Sequence, residues 1–274
     1  MTTQDKTDDT RGRSLVVDRQ FGPYLADSWV PAPRYLLRRD RMLNRLLREP
    51  NGCAVEVGCG GGALLRELAD AGHRCIGLET SSSALRIART MLAGQDSASV
   101  VASPGADWAE RFDILVSMEV LEHIEHDEAA LAEWLTWVRP GGLVVLSVPA
   151  HMARWSEGDT WAGHFRRYEK AELLGLAVKL GLVVESLECY GFPLANLTSW
   201  VANSTVRTKR KAGDATDAAS ATAASGTDRS AELRLFGLQR SIFGRMATAA
   251  AVRTQRGFLA TELGDGLLLF ARKQ

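Results

Sequence analysis

The sequence predicts an α/β protein: a parallel sheet with helices packed on both faces. Three observations carry this. Between Cys53 and Pro149, short apolar runs alternate with helix-like segments, the order that βαβ crossovers impose. The apolar runs are nearly continuous rather than alternating, as in strands buried on both faces. The first run enters a glycine-rich turn and passes straight into a helix.

The elements follow in order. Residues 1–13 lack apolar periodicity and read as a disordered tail. Residues 14–50 read as a helical cap, because Leu36, Leu37, Met42, Leu43, Leu46 and Leu47 fall on one helical face before Asn51-Gly52. The core runs over 51–190. CAVEV (53–57) is its first strand, and ALLRELADAG (63–72) is a helix closed by Gly72. HRCIGLE (73–79) is a strand, and SSSALRIARTMLAG (81–94) a helix opened by serine N-caps. SVVA (99–102) is a weak strand and FDILVSM (112–118) a strong one. DEAALAEWLTWV (127–138) reads as a helix stopped by Arg139-Pro140-Gly141-Gly142, before the strand LVVLSVP (143–149). YEKAELLGLAVKLG (168–181) is helical and LVVESLECY (182–190) a strand. Residues 191–265 form an insertion. Its 207–232 stretch has no large aliphatic or aromatic residue before the final helix and reads as disordered. LRLFGLQRSIFGRMATAAA (233–251) is helical, and GLLLFARK, within 266–274, is the last strand.

Composition narrows the function. A net charge of zero weakens nucleic acid as a partner, since phosphate neutralisation needs a basic excess. No run reaches the roughly 20 apolar residues that span a bilayer. The polar N-terminus does not read as a secretory signal. Cys53, Cys59, Cys75 and Cys189 form no CxxC pair, so neither a disulfide scaffold nor a zinc knuckle is expected. The expectation is a cytoplasmic protein, monomeric or homodimeric, without an integral membrane segment. Peripheral membrane contact through the basic stretch at 196–211 stays open.

The chemistry centres on VEVGCGGGALL (55–65). Glycine allows a tight turn and close approach of backbone to a ligand, and the helix start adds unpaired N–H groups. Glu79 closes the second strand, where a carboxylate can accept both hydroxyls of a ribose. Gly58-x-Gly60-x-x-Ala63 with Glu79 also satisfies a dinucleotide fingerprint, so the loop alone leaves an NAD(P)-dependent oxidoreductase open. A second mononucleotide half is not visible after residue 149.

Glu56, Gly58, Gly60 and Gly62 complete an acidic-x-Gly-x-Gly-x-Gly pattern. With FDILVSMEVLEHI (112–124), RPGGLVVLSVP (139–149) and GHFRRYEKAEL (163–173), the chain resembles the class I S-adenosylmethionine-dependent methyltransferases, in their small-molecule branch. The resemblance covers about residues 53–190 and the terminal strand. It implies a Rossmann-like methyltransferase fold: a mostly parallel seven-stranded sheet with an antiparallel C-terminal strand. It implies S-adenosyl-L-methionine as cofactor, held by Glu56, Gly58, Cys59, Gly60, Gly62, Glu79 and Thr80. Met118 and Glu119 would lie along the cofactor, and Asp107 and Trp108 would reach its adenine; an ordinary solvated aspartate is the other reading of Asp107. Glu169 stands where the family usually caps a helix with threonine or serine. A non-catalytic protein of the same fold is a further alternative.

The acceptor reading is narrower. After the fourth strand stands Ser117-Met118-Glu119-Val120, neither an Asn-Pro-Pro-Tyr tetrapeptide nor a Pro-Cys, so family analogy argues against adenine-amino and cytosine-C5 methylation. A small organic or lipid-like acceptor remains. His164, beyond the fifth strand, is the candidate general base, with Tyr168 next. Trp29, Trp155 and His164 are candidate acceptor contacts, although both tryptophans could equally be packing residues. His123 and His126, with Glu122 and Glu125, have a spacing that metals use, but solvated acidic loops are commoner and no metal is expected.

Overall fold

The computed structural model describes residues 15–196 and 229–274. The expected tail over 1–13, and all but the last residues of the expected disordered stretch, lie outside the described residues.

The described residues open with a hairpin, β1 (Leu15–Asp18) and β2 (Gly22–Leu25), paired antiparallel with Leu15 opposite Leu25. The sequence reading missed it, because strands of four residues are too short to show a period of two. Asp18 fixes the turn by accepting from the backbone N–H groups of Gln20 (2.8 Å) and Phe21 (3.1 Å). The expected cap helix follows as α1 (Pro33–Leu46), with proline at its start where no N–H is needed.

The core alternates β3 (Cys53–Val57), α2 (Ala63–Asp70), β4 (Arg74–Leu78), α3 (Ser82–Met91), β5 (Ala98–Val101), β6 (Phe112–Met118), α4 (Asp127–Trp137) and β7 (Val138–Pro149). After it come α5 (Glu157–Ala162), α6 (Lys170–Lys179), β8 (Leu182–Tyr190), α7 (Ser230–Arg240), α8 (Ile242–Gln255) and β9 (Gly266–Lys273). Helix α7 therefore begins inside the stretch expected to be disordered, at Ser230.

Seven strands form one sheet in the order β5-β4-β3-β6-β7-β9-β8. Strands β3 to β7 pair in parallel, and β9 slots antiparallel between β7 and β8. This is the Rossmann-like arrangement expected from the sequence. One local detail differs: Arg139-Pro140-Gly141-Gly142 is not a separate turn but an irregularity within β7. Val138 lies opposite Phe112 and Leu143 opposite Ile114, with Gly141 at φ 78° taking the left-handed bend.

Alternation along the strands sends side chains to two cores. Leu115 packs with Leu131, Trp134 and Leu135 of α4 and Leu173 of α6. Its neighbours Ile114 and Val116 pack on the other face with Met42 of α1 and Leu65 and Leu68 of α2. A third cluster joins the hairpin to α7: Phe236 meets Phe21 and Tyr24 edge-on, with ring centroids 5.5 and 4.9 Å apart. Because the parallel strands share direction, the loops after β3, β4, β6 and β7 all emerge at one edge, where open α/β sheets bind ligands.

Candidate active site at the carboxyl edge of the sheet

The glycine loop leaves β3 with Gly58, Gly60 and Gly62 at φ 68°, 52° and 74°, angles a side chain rarely tolerates. A Cβ on Gly58 would strike Val120 after β6, and one on Gly61 would strike the Trp29 indole. One on Gly60 would meet nothing within 4 Å, so the loop presents open backbone there. Glu79 braces this cradle: its carboxylate accepts from Gly60 N–H (2.9 Å) and Ser81 N–H (2.8 Å). Glu56 lies beneath it, buried, with Oε2 lacking a hydrogen-bond partner. Burial, reinforced by the Glu79 and Glu67 charges against Arg38, pushes its carboxyl up to about 8. An open glycine cradle, a carboxylate on the next strand and an orphaned buried acid fit a polar nucleoside ligand such as S-adenosylmethionine.

Other residues expected at the cofactor have different surroundings. Cys59 is buried against Gly77, and burial raises its thiol, so it packs rather than presents sulfur. Thr80 is exposed and Met118 belongs to the core. Trp108 is committed to packing between Phe112 and Trp137, both centroids at 5.1 Å. Asp107 is solvated and ion-paired with Arg111, the ordinary alternative considered for it. Glu119, at φ 56°, turns into a pair of arginines from α1: Arg34 at 3.1 Å and Arg38 at 3.2 Å. It also accepts from Ser147 (2.9 Å) and Tyr190 (3.0 Å). Burial raises its carboxyl, but these cations and donors outweigh burial and hold it ionised.

Three residues on, Glu122 is in the opposite state. It is fully buried, neither oxygen has a hydrogen-bond partner, and burial plus the Glu119 charge drive its carboxyl far above the usual range. Two neighbouring carboxyls with separated proton affinities are what an acid–base site requires.

His164 meets Glu122 from the loop after β7. Phe165 N–H donates to the Glu122 carbonyl (2.8 Å), and His164 Nε2 lies 3.9 Å from Glu122 Oε1. The other nitrogen, Nδ1, is 3.0 Å from Asp159 Oδ1. Asp159 heads α5 in a capping box with Ser156 and also accepts from Arg167 Nε (2.8 Å). Burial raises its carboxyl; His164, Arg167 and Ser156 outweigh that and keep it ionised. Arg167 continues to Asp265 (3.0 Å), at the start of β9. His123 stands edge-on to His164 (4.6 Å), and burial and His164 hold it neutral, down to about 4.

The spacing weighed for a metal is not the set of residues that the fold brings together. Glu125 and His126 are exposed, whereas Glu122, His123 and His164 each offer one ligand atom, all within 4.8 Å of one another. That donor set suits a divalent cation. Tyr168, the second candidate base, needs correcting: it is buried, and its hydroxyl donates to Asp127 (2.6 Å). Burial and Asp127 raise its proton affinity beyond use at neutral pH. Trp155 donates to Thr160 of α5 (3.2 Å), and Trp29 is buried over Gly61. Sequence reasoning missed Asp159, Arg34, Arg38, Tyr190 and Asp265. Only Asp159 left a local signal, the Ser156-x-x-Asp159 capping pattern.

A Rossmann-like sheet with this loop and this carboxyl-edge cluster defines a methyltransferase-type domain. The methyltransferase-domain family profile matches residues 32–187, and the chain belongs to that family. The chain is 32% identical over 153 residues to a ubiquinone biosynthesis O-methyltransferase of Sinorhizobium medicae, covering 48% of this chain and 61% of that protein. It thus spans less than two thirds of that relative's length. Its fold resembles an S-adenosylmethionine-dependent methyltransferase from Mesorhizobium loti (TM-score 0.52, 17% identity, 88% of this chain and 98% of that one). It also resembles a Haemonchus contortus phosphoethanolamine N-methyltransferase in complex with S-adenosyl-L-methionine (TM-score 0.53, 14% identity, 92% and 61%).

Proposed function

We propose that this protein methylates a hydroxyl oxygen of a small, largely apolar organic acceptor. The observation that carries the reading is the His164 imidazole, anchored through Nδ1 to Asp159 while Nε2 faces the buried Glu122. The O-methyltransferase name of the Sinorhizobium relative supports oxygen as the accepting atom. The glycine loop, Glu79 and Glu56 hold the cofactor, which when bound supplies an already activated methyl group. The protein's own work is placement, exclusion of water and handling of one proton. Asp159, accepting from Nδ1–H, fixes the tautomer in which Nε2 is the free base, so the acceptor's hydroxyl proton goes to His164 Nε2. The described residues of 14–50 and 191–265 flank the acceptor side, and the cytoplasm is the proposed compartment.

The test is turnover, read as S-adenosylhomocysteine release across a panel of phenols and catechols. His164→Ala should lower kcat by about 10²–10⁴ while S-adenosylhomocysteine affinity stays unchanged. Wild-type kcat and KM would remove His164 from the chemistry.

A second reading rests on the unpartnered Glu122 oxygens and the unpartnered His123 Nδ1. Glu122, His123 and His164 would hold a divalent cation that lowers the proton affinity of the acceptor hydroxyl. Loss of activity in chelator, restored by added Mg²⁺ or Zn²⁺, selects this reading; indifference to chelator selects the free base.

A further inference from the structure

Helices α7 and α8 carry an apolar surface that no described residue covers. Leu235 and Leu238 on α7, and Ile242, Phe243 and Met246 on α8, are each between 64% and 80% exposed. They flank the break between the two helices at Ser241. The inner side of the same unit is ordinary packing, with Phe236 buried against Phe21 and Tyr24. Single exposed leucines need no explanation, but five large apolar side chains within twelve residues of sequence do.

Charge selects the occupant. Residues 229–256 contain six arginines and one acidic residue, Glu232, in a chain with no net charge. Arg229, Arg245 and Arg256 pair with Glu232, Asp18 and Asp40. Arg234, Arg240 and Arg253 have no ion-pair partner among the described residues. The Arg240 guanidinium lies over the Tyr24 and Phe236 rings (5.7 and 5.9 Å) yet the residue stays exposed, the posture of a cation beside an apolar surface. Exposed apolar side chains on the same two helices as three arginines that have no ion-pair partner among the described residues match the interfacial layer of an anionic bilayer. No helix among the described residues is long and apolar enough to cross a membrane, so the contact is peripheral.

We propose that the α7–α8 pair docks this protein onto an anionic membrane surface, with Ile242 and Phe243 entering the acyl boundary. The pair is also tied to the cofactor loop: Phe236 and Leu233 share a cluster with Trp29, whose indole covers Gly61. Docking would therefore bring the acceptor side to the bilayer, where apolar acceptors concentrate. That last step rests on the proposed function; the docking itself does not.

The experiment is co-sedimentation of the full chain with phosphatidylcholine vesicles, with and without phosphatidylglycerol, at two salt concentrations. Its partners are I242E/F243E and R234A/R240A, with thermal unfolding followed in each variant so that loss of binding is read only where the fold is kept. The proposal expects binding to the anionic vesicles, weakened by salt, reduced at least tenfold in I242E/F243E and severalfold in R234A/R240A. S-adenosylhomocysteine affinity without vesicles should be wild-type in both, which separates failure of docking from failure of the proposed function. Binding that survives I242E/F243E would move the contact elsewhere, for instance to the Arg-Thr-Lys-Arg-Lys run at 207–211, and overturn the proposal. Absence of vesicle binding would overturn it too. A dimer in light scattering that dissociates in I242E/F243E would assign the face to a second copy.

Discussion

Glu79 shows how a single side chain can brace a loop at the proposed ligand site. One carboxylate braces Gly60 and Ser81, so the oxygens expected to receive a ribose also hold the loop in its ligand-ready shape. Each bond from a donor to a charged acceptor is worth about 1.5–3 kcal/mol. Glu79→Ala should therefore weaken S-adenosylhomocysteine binding by more than tenfold in calorimetric titration, without unfolding the protein. An unchanged dissociation constant would deny Glu79 both roles. The residue scale also explains an oddity noted in the sequence. Glu169, in place of a threonine or serine cap, still forms a capping box with Glu172. Its second oxygen is free to bond His151 (3.0 Å), which a hydroxyl cap could not do as well.

Between elements, the tightest coupling joins the N-terminal cap to the glycine loop. Gly61 has no positive φ, so its requirement is space: a Cβ there would come within 2.8 Å of Trp29 Nε1. Trp29 in turn meets Tyr35 of α1 edge-on at 5.9 Å. Gly61→Ala should force the indole aside at a cost of about 1–3 kcal/mol and loosen the segment from Phe21 to Leu36. Hydrogen exchange should report faster opening there. Adding Trp29→Leu, which removes the obstructing ring, should recover part of the loss, because residues in contact couple. Protection and stability identical to wild type in Gly61→Ala would show that the cap is not seated on the loop.

Stability against pH is a property of the whole molecule. The Glu56 carboxyl is raised from 4.5 to about 8, so the folded protein keeps a proton that the unfolded chain releases across that interval. Glu56 therefore contributes a fall in stability as pH rises from about 4.5 to 8, up to about 1.4 kcal/mol per unit, which His123, held down to about 4, opposes below about 6.5. Glu122, raised for the same reason, adds to the slope. Denaturant melts of Glu56→Gln should show a shallower fall over this window. A slope equal to wild type would mean that Glu56 is ionised in the folded state. The cost is tolerated because the sheet around it is large and apolar, and because a bound cofactor stabilises the folded state by mass action.

The sequence alone determined the alternation of strands and helices, the glycine loop and the placement of Glu79. Each depends on neighbours in the chain: runs of apolar residues, the backbone freedom of glycine, and the short path from β3 through α2 to β4. It also put His164 beyond the fifth strand, on the edge where ligands gather. Tertiary structure decided what that histidine meets. Asp159 is close in sequence, but Glu122 is far from it, and Arg34 and Arg38 reach Glu119 from another segment altogether. Sheet order brings these ends together, and no local pattern encodes which distant side chains will face one another. The same reason explains the exchange of Glu125 and His126 for an inward cluster of Glu122, His123 and His164. Spacing fixes which residues share a helical turn, but burial, set by the loop after β7 closing over that turn, decides which of them face inward.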